Sequence, residues 1–131
     1  DVNAGSTVLY VQYRSFTALF TGDLEGEGER QLLEEIKTEE GGNLPVTLLK
    51  VAHHGSGGST SQEFLERTSP SLALISCGRG NSYGHPHAET MRRLEDAGTV
   101  SYTTMDCGAV TVSVSRRGRL RVKGYLAREP Y

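Results

Sequence analysis

The stretch Val46-Thr47-Leu48-Leu49-Lys50-Val51-Ala52-His53-His54-Gly55-Ser56-Gly57-Gly58 decides the reading of this 131-residue chain. Pro45 opens a short, nearly continuous apolar run, Val46–Ala52, which fits a strand covered on both faces, as in a parallel sheet. The run ends in two histidines and a Gly/Ser loop, and open α/β sheets place their ligand sites beyond the carboxyl ends of such strands.

Outward from that strand, the pattern alternates. Thr7–Tyr13 and Phe16–Thr21 read as a hairpin about Arg14–Ser15, followed by a Leu24–Gly28 loop. Glu29–Glu39 has helical periodicity through Leu32, Leu33 and Ile36, and Gly41–Gly42 stops it. Ser59, Thr60 or Ser61 caps a helix that ends near Arg67, before Ser69–Pro70. Leu72–Ser76 is a second apolar strand, and Pro86–Ala97 reads as a helix with Pro86 in its first turn and Gly98 after its end. Val100–Thr104, Ala109–Ser115 and Leu120–Tyr125 complete the strands. The fold class is therefore α/β, a mixed sheet carrying helices.

Bulk properties narrow the partners. The length fits one domain, and no run of 18 apolar residues is present. A formal net charge of −2 gives no overall field for a polyanion, so any affinity for nucleic acid is local or metal-mediated. The local exception is Arg116, Arg117, Arg119, Arg121 and Lys123, which reads first as a solvated hairpin edge. Cys77 and Cys107 lack zinc-ligand spacing and read as free thiols, with a disulfide between them left open.

All four histidines fall in two loops, as His53–His54 and His85–Pro86–His87, and Asp23 follows the strand Phe16–Phe20 in a third. A carboxylate and neutral imidazoles converging beyond a sheet edge make a divalent-metal site. Adjacent residues leaving a strand point different ways, so one member of His53–His54 binds metal and the other meets substrate. The Gly55–Ser61 loop before a helix offers amides and hydroxyls for a phosphate, with Gly55 and Ser56 foremost. Gly55-Ser56-Gly57 lacks the spacing of a nucleophile elbow, which argues against Ser–His–Asp catalysis.

Taken in order, Phe20-Thr21-Gly22-Asp23-Leu24-Glu25, Leu49-Lys50-Val51-Ala52-His53-His54-Gly55-Ser56, Asn81-Ser82-Tyr83-Gly84-His85-Pro86-His87 and Tyr102–Gly108 resemble one family. The chain resembles the C-terminal part of the metallo-β-lactamase-like domain of ComEC-type DNA-uptake (competence) channels. The resemblance implies half of a four-layered αββα sandwich and a phosphodiesterase or nuclease that degrades the DNA strand not imported. It implies two divalent cations, manganese or zinc, bridged by Asp23. His54 is the favoured metal ligand with His53 turned toward the scissile phosphate, and the reverse assignment stays open. His85 and His87 would contact the substrate, and Asp106 would orient a histidine from outside the ligand set.

The family's His-x-His-x-Asp-His motif does not occur in these residues and is expected N-terminal to residue 1, as in an excised fragment. The chain alone is then expected to bind metal weakly, to lack useful hydrolytic activity, and to expose an apolar sheet face that favours dimers. The implied partners are single-stranded DNA and the rest of a polytopic membrane protein, with this domain on the extracytoplasmic side. Two other readings compete: a soluble hydrolase of the same fold (phosphodiesterase or phosphorylcholine esterase-like), and a non-catalytic DNA-binding module using Arg116–Lys123.

Overall fold

The structure, a computed structural model, describes residues 2–126. Five strands form one mixed sheet in sequential order: β1 (Leu9–Tyr13), β2 (Phe16–Phe20), β3 (Leu48–Lys50), β4 (Leu72–Ile75) and β5 (Val100–Thr103). β1 and β2 are the antiparallel hairpin, and β2 to β5 run parallel. Between the parallel strands lie α1 (Glu27–Ile36), α2 (Gln62–Thr68) and α3 (Ala88–Asp96). A short helix, α4 (Thr104–Cys107), leads to a separate hairpin of β6 (Val110–Val114) and β7 (Leu120–Gly124).

Successive crossovers of one hand that step in one direction put every crossover helix on the same face. The core confirms it. Leu19, Leu49, Val51, Ala73 and Ile75 from the strands meet Leu33 and Ile36 of α1, Phe64 and Leu65 of α2 and Leu94 of α3. On the opposite face Ala18, Leu48 and Leu72 are covered by Val112 and Val122 of the β6–β7 hairpin. That cover leaves β1 and the far end of β2 bare. Leu9, Val11, Tyr13 and Phe20 share this face and are 55%, 39%, 43% and 39% exposed. One sheet with helices on one side and a partly bare second side is consistent with half of a sandwich, as the sequence predicts.

Element ends differ from the sequence reading for local reasons. α1 starts two residues before Glu29, because Gly26 (φ 55°, ψ −123°) makes a turn closed to other residues, and it stops at Ile36. Ser61 is the residue that caps α2, its hydroxyl accepting from Phe64 N at 3.2 Å. Pro86 lies outside α3: it follows a cis peptide from His85, and His87 is the extended N-cap. Gly98 takes the left-handed turn after α3 at φ 72°. Thr104 belongs to α4 rather than to β5, and Thr103 caps that turn by accepting from Asp106 N. Both cysteines are free, Cys107 buried and Cys77 half-buried.

The contrast between the two faces is testable. Leu49 is wholly buried at the sheet centre, so Leu49→Ala is expected to cost about 2–5 kcal/mol. Leu9→Ala on the bare face is expected to cost under about 1 kcal/mol. Urea unfolding of the two variants measures both; equal losses would mean that the first hairpin is covered.

Candidate metal centre

The carboxyl ends of β2, β3 and β4 bring three loops together, and backbone bonds lock them. His53 N donates to Gly22 O at 2.9 Å, Val51 N to Leu74 O at 2.9 Å, and His87 N to Gly55 O at 2.9 Å. The Thr21 hydroxyl donates to Lys50 O at 2.9 Å. At the end of β3 both His53 (φ 45°, ψ 45°) and His54 (φ 56°, ψ 21°) are left-handed. Such residues cost about 1–3 kcal/mol each and cluster at functional sites. Gly55 follows at φ 84°, where a Cβ would lie 2.6 Å from Pro86 Cβ, so only glycine lets the two histidine loops touch.

The result is a cluster of imidazoles. Ring centroids are 6.2 Å apart for His53–His54, 5.6 Å for His53–His85, 6.3 Å for His54–His85 and 4.7 Å for His85–His87. Tyr83 stacks on His85 at 5.6 Å. A pocket of about 210 Å³ lies here, lined by His54, Cys77, Gly78, Asn81, Tyr83 and His85. A larger hollow of about 400 Å³ between α2 and α3 holds none of these rings, and the chemistry follows the smaller one.

The His54 ring is held in one orientation. Its Nδ1 lies 2.7 Å from Ser76 O, which only accepts, so Nδ1 carries a proton, and in the uncharged ring the lone pair is then at Nε2. That Nε2 stands 3.7 Å from Asp23 Oδ1, beyond hydrogen-bond reach, with both side chains about half exposed. Asp23 is fixed from behind by its own N–H, which donates to the Ser6 hydroxyl at 3.2 Å. A lone pair facing a carboxylate across such a gap fits a shared cation. Among the described residues no group of three or more His, Cys, Asp or Glu side chains is arranged to hold one.

His53 faces elsewhere. Its solvent-shielded Nδ1 lies 2.9 Å from Glu25 Oε2. Glu25 also accepts from the Ser56 hydroxyl and from Asn3 Nδ2, each at 3.2 Å. The contact with His53 chiefly, then Asn3 and Ser56, hold the Glu25 carboxyl below its usual range against the opposing effect of burial. His85 is fixed through its backbone, its N–H donating to Asn81 Oδ1 at 2.9 Å and its carbonyl accepting from Asn81 Nδ2 at 2.6 Å. Burial first, then the three neighbouring histidines, push the His85 imidazole below its usual value, with Glu25 opposing.

The remaining sequence candidates are placed differently. His87 has both nitrogens engaged: Nδ1 accepts from Gly57 N at 2.8 Å, and Nε2 donates to Tyr83 O at 3.0 Å. The open amide cradle expected over Gly55–Ser61 is not formed, because every N–H of residues 56–61 already has a partner. Ser56 and Ser59 bond the loop's own carbonyls, Gly58 bonds the Ser56 hydroxyl, and Thr60 and Ser61 both donate to buried Glu29. Arg93 of α3 takes the carbonyls of Gly57, Ser59 and Thr60. Asp106 of α4 accepts from the hydroxyl of its N-cap, Thr103, at 2.6 Å.

Two residues of the site were not read from sequence. Glu25 carried a signal, a second carboxylate two positions beyond Asp23. Lys50 did too, as the one charge in an apolar strand. Its Nζ donates to Val51 O at 3.1 Å, and burial pushes the ammonium down while Asp23 and Cys77 oppose.

The His85 shift has a direction in stability. A histidine whose folded pKa is depressed is protonated first in the unfolded chain, so stability is full above about pH 6.5 and falls as pH drops below it. His85→Gln is expected to flatten the fall in urea midpoint between about pH 6.5 and 5. A slope identical to the parent's would refute the assignment.

No protein-family model matches the chain. Curated proteins do. It is 39% identical over 93 residues to "ComE operon protein 3" of Bacillus subtilis (strain 168), covering 71% of this chain and 11% of that protein. It is 37% identical over 136 aligned residues to "Competence protein ComA" of Neisseria gonorrhoeae, covering 100% of this chain and 19% of that protein. It is 34% identical over 111 residues to "Recombination protein 2" of Haemophilus influenzae, covering 85% and 13%. The chain thus spans less than a fifth of the length of these relatives. With matches that together run along its whole length, the chain belongs to the ComEC family of competence proteins.

Proposed function

We propose that these residues form part of a metal-dependent phosphodiesterase site, of the metallo-β-lactamase kind, that cuts DNA during uptake. The observation that carries it is the 3.7 Å gap between Asp23 Oδ1 and a His54 Nε2 whose tautomer Ser76 O fixes. Asp23 and His54 would hold divalent cation, manganese or zinc, and the further ligands would come from outside these 131 residues. Divalent cations in such a site offset charge building on a phosphodiester and acidify a water.

The chain's own groups have separate tasks. Burial disfavours the charged form of His85, and among the described residues its ring nitrogens have no hydrogen-bond partner, so it meets a phosphoryl or leaving oxygen by hydrogen bonding. His53, oriented by Glu25, presents Nε2 to the same phosphate. Lys50 adds positive charge beside Asp23 on the sheet face. Gly55, Ser56 and His87 hold the loops in register, and Asp106 steadies the α4 turn. The competence names of the relatives support DNA as the substrate and a DNA-uptake protein as the parent. Among the described residues no helix is long and apolar enough to cross a membrane; the polytopic, membrane-bound parent with this domain outside the cytoplasm is part of the proposal.

The test compares the chain with a longer form of the protein that includes its preceding sequence, on labelled single-stranded DNA with manganese. Hydrolysis is expected in the longer form, with loss of at least about 100-fold on Asp23→Ala. The isolated chain is expected to show no useful turnover. Full activity of Asp23→Ala would overturn the site, and absence of activity from both folded forms would overturn the reaction.

A further inference from the structure

The β6–β7 hairpin is charged in a way that the site does not explain. Residues 109–125 contain Arg116, Arg117, Arg119, Arg121 and Lys123 and no acidic residue. Given the chain's total of −2, a segment of +5 leaves −7 on everything else. Alternation sorts the strand into two faces. Val112 and Val122 pack inward on the sheet, whereas Arg119, Arg121 and Lys123 are exposed. Across from them stand Thr111, paired with Lys123, and Ser113, paired with Arg121, so no carboxylate neutralises the row. Among the described residues none of the five side chains is in an ion pair.

The row also has a direction. At the turn, Gly118 sits against Ser15 of the first hairpin, with 3.4 Å from an added Cβ to the Ser15 hydroxyl. That is the end of the sheet away from the histidines. At the other end Gly124 packs on Cys107, with 3.0 Å from an added Cβ to Cys107 Cβ. Cys107 closes α4, whose Thr104 hydroxyl is bonded to both Cys77 N and Cys77 O. Cys77 lines the pocket of His54 and His85. Exposed Arg79 lies at the same end, its guanidinium donating to Met105 O of α4 at 3.0 Å. Cations on alternate residues of a strand repeat every ~6.6 Å, so β7 is a ladder of positive charge that runs toward the site.

We infer that Arg119 just before β7, Arg121 and Lys123 on its outer face, and Arg79 in the loop after β4 form a track for the phosphate backbone of single-stranded nucleic acid leading to the site. A flexible strand places successive phosphates along such a row, and the binding is sequence-independent and salt-dependent. Uncompensated like charges on a solvated hairpin would suit an anionic lipid surface as well. The ladder's single file and its end at the histidine pocket favour a strand. The inference rests on the site acting on a phosphodiester, yet binding and cleavage separate cleanly.

The experiment is fluorescence anisotropy of a labelled single-stranded oligonucleotide with the full 131-residue chain in EDTA, over a salt series. The triple variant R119E/R121E/K123E is expected to bind at least tenfold more weakly. The milder R119Q/R121Q/K123Q is expected to lower the slope of log affinity against log salt by about 2, at ~0.7 per lost contact. Arg92→Glu, on α3 and outside the site, is expected to bind as the parent does. Circular dichroism shows whether each variant folds, and the glutamine form carries the test if the glutamate form does not. Parent-like binding by the folded glutamine variant, or no binding by the parent chain, overturns the track. Binding of the parent to anionic phospholipid vesicles but not to the oligonucleotide overturns it in favour of a membrane. Failure of the site alone would show instead as intact binding with Asp23→Ala cutting normally in the longer form.

Discussion

Everything at this sheet edge hangs on two consecutive left-handed residues. A β-strand that simply ran on would send His53 and His54 to opposite faces of the sheet, one into the helices and one into the open side. Turning both backbones left-handed instead folds the pair back over the strand ends, and His53 N then reaches Gly22 O. The strain of two such residues is held by what surrounds them: the bond to the β2 loop, the Ser76 carbonyl on His54, and the glycine that lets Pro86 close in. Remove the turn and Asp23, His54 and His85 have no reason to meet.

The loop that follows shows how a flexible composition becomes rigid. Gly57, Gly58 and Ser59 would cost entropy to order. Here Glu29 receives two of the loop's N–H groups while Arg93 donates to three of its carbonyls. Glu29 and Arg93 come from α1 and α3, so the loop is clamped from both sides by helices whose own apolar faces lie in the core. His87 adds a third grip at Gly57. A segment that looks like a ligand cradle is therefore a fixed wall, and the groups left free to act are imidazoles and carboxylates.

Much of this was legible in the sequence. Buried strands that end in polar loops located the histidine cluster, and the strings around Asp23, His53–His54 and His85 identified the family. What escaped was conformational. Nothing in the pair His53–His54 announces a double left-handed turn, since only glycine advertises positive φ. The N–H groups of Thr60 and Ser61 depend on Glu29, and the carbonyls of Gly57, Ser59 and Thr60 on Arg93, each about thirty residues away in sequence. Pro86 looked like a first-turn proline because spacing alone does not reveal that His87 stays extended. Lys50 was hidden by its apolar neighbours, and its importance emerges only when the sheet sets it beside Asp23.

The division of charge between hairpin and body also gives the molecule a strong permanent dipole. With a pI near 6.1 the chain would pass for an electrostatically bland object. A body at −7 with a +5 arm held along one face is the opposite. In the field of any highly charged neighbour such a particle rotates before it is drawn in, so its first collisions are already aimed. Salt would blur that aim before it altered any contact, over a Debye length of ~8 Å at physiological strength. Orientation in flight is thus a property of this fold that its net charge conceals.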